Sequence, residues 1–334
     1  MSILVTGGAG FIGSHIVDFL LERGHKVVVL DNMFSGKHEN MAHNMLNPDF
    51  TFCYGDITDL NTVRSIFIKH NVKSVCHQAA VGSVPRSVDD PLTSHNTNVN
   101  GFLNILIVMK ELGVKRIVYA SSSSVYGDNT QLPKIEDYIG KPLSPYAITK
   151  YIDELYANIF SKLYDLECIG LRYFNVFGAR QDPNSIYSAV IPKFITKILN
   201  NEQVVINGDG SFSRDFTHVS NVVNANYLAL TTDNDKCFRE VFNIGLGGCI
   251  SILELYNIIS DSIITINKQS PSVSSQLLKN LNNINNVIFA QVRNGDVPHS
   301  NASIDKAKEL LQYNPVIDFN EGIRLTVKHF IDKL

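Results

Sequence analysis

A chain of 334 residues with 44% hydrophobic and 18% charged side chains holds enough apolar material for a substantial core and too little charge for a disordered polymer. With 29 basic against 32 acidic residues the net charge is −3, and no Lys/Arg run is long enough to track a phosphate backbone, so nucleic acid is excluded as the expected partner. The five cysteines form no CxxC pair and have no His at ligand spacing, which points to no metal and no disulfide framework.

Ser2-Ile3-Leu4-Val5 begins a core strand at once, leaving no room for a leader, and no apolar run approaches the roughly 18 residues of a membrane span. A cytoplasmic protein without a membrane partner is expected. Short β-branched runs predict strands at residues 3–5, 27–30, 51–54, 74–77, 116–120 and 167–171, and amphipathic stretches predict helices at 11–23, 61–70, 93–112 and 146–163. This alternation is that of an α/β protein with a doubly wound parallel sheet, because crossovers between parallel strands are right-handed. After about residue 178 the pattern changes, with Pro183, Pro192 and a Gly208-Asp209-Gly210 turn. The expected organisation is a nucleotide-binding domain over 1–178 and a smaller C-terminal lobe over 179–334, interleaved with the sheet. Residues 267–286 read as a polar surface insertion without a function.

Directly after the first strand, Thr6-Gly7-Gly8-Ala9-Gly10-Phe11-Ile12-Gly13 forms a GxxGxxG run that opens a helix. Such glycines permit a tight turn and a close approach of backbone to a pyrophosphate, and the helix N-terminus offers N–H groups to the phosphates. Asp31 ends the second strand about 20 residues on, where a carboxylate takes ribose hydroxyls and repels a 2′-phosphate; NAD is therefore expected rather than NADP. The cofactor contacts are expected from Gly7, Gly10, Phe11, Ile12, Gly13, Asp31 and Asn32, from Asp56 and Ile57 near the adenine, and from Gln78. His77 reads as a satisfied core residue.

Tyr146 and Lys150 lie four residues apart on a helix introduced by Ser144-Pro145, so both share one face and can also meet the cofactor. An ammonium near a phenol favours phenolate, drawing a tyrosine of ordinary pKa near 10 toward neutral pH and making a base for alcohol oxidation. Ser121-Ser122-Ser123-Ser124-Val125-Tyr126-Gly127 closes the fifth strand at the sheet edge where doubly wound folds bind ligands, and a hydroxyl there can relay the proton.

These blocks, with HQAAVGSVPRS, LRYFNVFG, the segment 207–216 and Arg293-Asn294-Gly295-Asp296, resemble the extended short-chain dehydrogenase/reductase superfamily nearly end to end. The resemblance is specifically to its NAD-dependent nucleotide-sugar epimerases. Through GSVPRS, RQDPN and SAVIPKF it runs toward UDP-N-acetylglucosamine 4-epimerases of the bacterial polysaccharide type. It implies a Rossmann domain, a retained NAD, a UDP-sugar substrate and a homodimer. By alignment on V-Y-G, Ser122 matches the hydroxyl that works with Tyr146 and Lys150, and Ser123 and Ser124 are neighbours of the sugar. Related 4,6-dehydratases and decarboxylases are similar but carry carboxylates in this turn; here serines stand instead, which leaves reversible oxidation at C4.

The resemblance also implies that Arg214 and Arg293 hold the diphosphate, that Asn175 contacts diphosphate and sugar, and that Ala189, Val190 and Asn207 cradle the uridine. Asp296 either supports the Arg293 loop or touches the ligand, and His299 is either a contact or a loop residue. Ser300 aligns with a position where epimerases of plain hexoses carry tyrosine; a small residue leaves room for an N-acetyl group, to which Ser83 and Arg86 add hydrogen bonds. The rival readings are a UDP-glucose or UDP-glucuronate 4-epimerase, a 4,6-dehydratase, and a non-catalytic NAD-responsive regulator.

Overall fold

The computed structural model describes residues 2–183, 189–269, 287–292 and 297–333. Its centre is a parallel sheet of seven strands: β1 (Ser2–Thr6), β2 (Lys26–Asp31), β3 (Phe50–Tyr54), β4 (Ser74–His77), β5 (Arg116–Ser122), β6 (Glu167–Tyr173) and β7 (Val241–Ile244). They are ordered β7-β6-β5-β4-β1-β2-β3. The chain thus starts mid-sheet, winds outward to β3, and returns to build the other half, giving the doubly wound Rossmann arrangement. The six expected strands are present; Ser74–His77 has the expected bounds and the other five are slightly longer than their apolar runs. The seventh comes from the C-terminal half of the chain.

Helices cover both faces because the strands are apolar on both sides. On one face α1 (Phe11–Glu22) and the helix Val219–Thr231 pack Ile16, Val17, Leu20, Val222 and Ala225 onto Val5 and Val29. On the other, α2 (Leu60–His70), α3 (Gly101–Leu112) and α4 (Pro145–Tyr164) bury Val63, Phe67, Phe102, Leu106 and Ala157 against Leu4, Val75 and Ile117. The expected helix over 93–112 needs a correction. Helical structure begins earlier, at Pro91–His95, and passes through a π-turn at Asn96–Asn100 before α3. The extra residue turns Asn98 inward, where its Oδ1 accepts from the Val81 N–H at 2.8 Å and its Nδ2 donates to Thr149 Oγ1 at 3.0 Å.

The helices Val190–Leu199, Ile252–Gln269 and Phe319–Ile331 close a separate core of Phe194, Ile195, Leu255, Ile259, Ile323 and Val327. Among the described residues no helix is long and apolar enough to cross a membrane. Nor do any three His, Cys, Asp or Glu residues among them cluster as metal ligands.

Candidate active site

The carboxyl ends of β1, β2, β4, β5 and β6 converge on a cleft of about 430 Å³. Its floor is the glycine turn. Gly7 has φ +69°, and a Cβ there would stand 2.7 Å from the Ala79 backbone nitrogen; one on Gly13 would stand 2.2 Å from the Gly7 carbonyl oxygen. Only hydrogen at these positions lets α1 begin against the strand ends. No side chain caps that helix at Gly10, so its N-terminus opens toward the cleft. At the end of β2, Asp31 is held by the N–H groups of Ala9 at 3.0 Å and Met33 at 2.8 Å, and burial pushes its carboxyl up. Asn32 Nδ2 donates to Asp56 Oδ2 at 2.8 Å, tying the ends of β2 and β3 together. Glycine floor, helix N-terminus and buried carboxylate fit the pyrophosphate and ribose of a dinucleotide without a 2′-phosphate.

The expected cofactor residues Gly7, Gly10, Phe11, Ile12, Gly13, Asp31, Asn32, Asp56, Ile57, Gln78, Tyr146 and Lys150 all line this cleft. Tyr146 and Lys150 are one helical turn apart on α4, whose first turn is set by Pro145 and by the Ser144 hydroxyl accepting from the Ala147 N–H. Lys150 is almost wholly buried, and its Nζ donates to Asp153 Oδ2 at 3.2 Å. Ser122 ends β5; its Oγ accepts from the Ser124 N–H at 3.1 Å and donates to Ser124 Oγ at 3.2 Å, which folds the serine turn. Ser121, which was not singled out, lines the cleft, whereas Ser122, Ser123 and Ser124 are not among its lining residues. Tyr173, also missed, lines it too and forms a triangle beneath it with Gln78 and Asn226. His77 lies just below, with Nδ1 2.8 Å from Thr6 Oγ1. Its Nε2 is buried without a partner, so the expectation of a satisfied core histidine holds for only one ring nitrogen.

Two residues past Tyr173, Asn175 belongs to a second cleft of about 410 Å³. Val190, Asn207 and Arg214 line it as expected, together with Lys193, Lys197, Phe194, Phe212 and Phe216. Three cations and three aromatic rings around one volume suit a flat heterocycle carrying phosphates. Arg214 is aimed by hydrogen bonds from Nη1 to the carbonyls of Ser213 at 2.9 Å and Pro298 at 3.0 Å. Ser300 lies on the strand His299–Ser300 paired in register with Arg214. His299 has Nδ1 at 2.7 Å from Ser213 Oγ.

Other expected contacts lie elsewhere. Ala189 is exposed at the N-cap of Val190–Leu199 and lines neither cleft. The Ser83 hydroxyl accepts from the Arg86 N–H at 3.3 Å as the N-cap of Val84–Asp89, and the Arg86 guanidinium sits 5.5 Å from the Phe34 ring centre. Ser83 thus caps a helix end, as N-terminal serines do, and keeps its O–H donor and a second lone pair. Arg293 and Asp296 lie outside the described residues. Phe212 and Lys193 were beyond sequence reasoning because nothing local marks them; the one available hint was their closeness to Asn207 and Val190.

Comparison with known proteins agrees with this geometry. The chain matches the NAD dependent epimerase/dehydratase family over residues 3–245. A UDP-glucose 4-epimerase of Mycolicibacterium smegmatis is 36% identical, with 100% of this chain and 99% of the relative covered. The solved UDP-N-acetylglucosamine 4-epimerase of Methanobrevibacter ruminantium, in complex with UDP-N-acetylmuramic acid, superimposes with a TM-score of 0.88 at 39% identity, covering 100% of this chain and 99% of that one. The UDP-glucose 4-epimerase of Thermotoga maritima with UDP-glucose gives 0.87 at 38% identity, with coverage of 100% and 99%. The chain therefore belongs to the NAD dependent epimerase/dehydratase family. NAD is its cofactor, and it is an isomerase of the nucleotide-sugar epimerase type.

Proposed function

We propose that the protein interconverts UDP-N-acetylglucosamine and UDP-N-acetylgalactosamine at C4. The observation that carries this reading is Tyr146 and Lys150 walling the dinucleotide cleft one turn apart, beside a turn that offers serine hydroxyls and no carboxylate. In this reading Tyr146 accepts the C4 hydroxyl proton through Ser122, with the Lys150 ammonium one turn away on the same helix. Bound NAD supplies the acceptor, and on return the donor, of the C4 hydride. Arg214 and Asn175 grip the diphosphate while Val190 and Asn207 flank the uridine, so the 4-keto sugar can turn about its phosphate linkage before reduction on the opposite face. Arg293 and Asp296 are assigned to the same end on the resemblance alone.

The preference for an acetylated sugar is supported by the small side chain of Ser300 beside Arg214 and by the M. ruminantium relative's name. The second reading, a UDP-glucose/UDP-galactose 4-epimerase, is favoured by the names of the M. smegmatis and T. maritima relatives. We assign residues 1–178 to cofactor binding and 179–334 mainly to the substrate, and place the protein in the cytoplasm, in keeping with cysteines that form no disulfide framework. We further read it as a homodimer, since α4 presents Ile148, Leu155, Ile159 and Leu163, exposed at 48%, 52%, 43% and 64%, as one apolar stripe.

The test is to incubate purified protein, without added cofactor, separately with UDP-N-acetylglucosamine and UDP-glucose and to follow the C4 epimers by proton NMR. Faster turnover of the acetylated pair is the expected result. Faster turnover of the plain hexose selects the second reading, and turnover of neither overturns both.

A further inference from the structure

Beneath the cofactor cleft, α4 buries a carboxylate that the proposed chemistry leaves unused. Asp153 stands almost one turn beyond Lys150, with side-chain exposures of 1% and 2% respectively, and accepts from Lys150 Nζ at 3.2 Å. Its other oxygen, Oδ1, is buried without a hydrogen-bond partner. A buried ammonium needs a counter-charge, so this carboxylate makes the fully buried lysine tolerable. The same carboxylate opposes the positive field that Lys150 projects in the other direction along the helix, toward Tyr146.

The titratable groups around this pair come from several elements. His77 on β4 feels the charge of Lys150. Tyr119 on β5 feels Asp153, Glu154, Cys168 and Arg172, and Glu154 is in turn ion-paired with Arg172 on β6. On the packed helical segment, Asp89, Asp90, His95, Lys110 and Glu111 are exposed, and neither they nor the half-buried Arg86 are among the charges that move Asp153. Burial raises the Asp153 carboxyl and outweighs the opposing pull of Lys150, and the charge of Glu154 adds to the rise.

We propose that Asp153 is a positioning residue for proton transfer: it anchors the Lys150 ammonium within α4 and attenuates the positive field that Lys150 exerts on Tyr146. This rests on the assignment of Tyr146 as proton acceptor.

The test is D153N, which keeps the side-chain shape and an oxygen to accept from Lys150 while removing the charge. The acid limb of the pH profile of kcat/KM is expected to move to lower pH by about one unit, with the amount of NAD retained through purification unchanged. A folded, NAD-loaded variant whose limb moves by less than about 0.2 unit, or moves to higher pH because Lys150 loses its charge with its partner, overturns the proposal; a merely structural aspartate alters stability and kcat without displacing the limb. D153S is measured alongside and read in the same way, so that misfolding of the asparagine variant does not end the test. Y146F separates the two levels of inference. If it retains more than a few per cent of wild-type turnover, the assignment of Tyr146 falls and this proposal with it; if it is inactive while D153N and D153S leave the limb in place, only the role of Asp153 falls.

Discussion

Ser121 donates its hydroxyl hydrogen bond to Glu154 Oε1 at 2.5 Å, joining the end of β5 to the middle of α4. Arg172 of β6 grips the same carboxylate through Nε at 2.9 Å and Nη2 at 2.8 Å, and all three residues are buried. The strand end that leads into the serine turn and the helix that carries Tyr146 and Lys150 therefore share one support. Removing one partner of a buried ion pair strands the other, at a cost of about 3–5 kcal/mol. E154Q is expected to lose about that much stability by denaturant titration, and E154L combined with R172M to recover part of it, since no buried charge is then left alone.

Ser300 sits in register with Arg214, and the proposed function assigns its small side chain to the space that an N-acetyl group would take. S300Y is expected to lower kcat/KM for UDP-N-acetylglucosamine relative to UDP-glucose by about tenfold or more, because a ring would occupy the space of the acetamido group. Competition between the two sugars, followed by NMR, gives the ratio directly. An unchanged ratio removes Ser300 from this role.

The buried His77 and His218 and the half-buried His15 make the fold sensitive to acid. Burial lowers His15 to about 4, His218 to about 4 and His77 to about 3, with the Lys150 charge adding to the effect on His77. In the unfolded chain each protonates near pH 6.5. Between those values the unfolded state binds more protons, so stability rises with pH: it is complete above about 6.5 and is lost as pH falls toward 4. Melting temperature measured from pH 7 to pH 4 should drop accordingly. His15→Gln, which keeps an N–H for the Ala179 carbonyl, should flatten part of that drop.

The apolar stripe of α4 gives the dimer reading a direct check. Light scattering on the wild type should report twice the chain mass. L155E combined with I159E, which places two charges on the stripe, should report a single chain with the fold retained by circular dichroism. A wild type that scatters as one chain would sink the reading.

What the amino-acid sequence determined by itself is what depends on near neighbours in the chain. The β-branched runs specify strands, the GxxGxxG turn follows β1 directly, Asp31 closes the next strand, and the four-residue spacing of Tyr146 and Lys150 puts both on one helical face. The tertiary structure decided what depends on distant segments meeting. β7 is only four residues long and became an edge strand of the central sheet because β6, far earlier in the chain, offered it a place to pair. The second cleft gathered Phe212, Lys193 and Asn175 from separate loops and a helix, and Ser83 was drawn into a helix cap. Burial works the same way. Nothing in the letters around Asp153 says that its carboxylate will lie out of water against Lys150, because that depends on which strands and helices close over it.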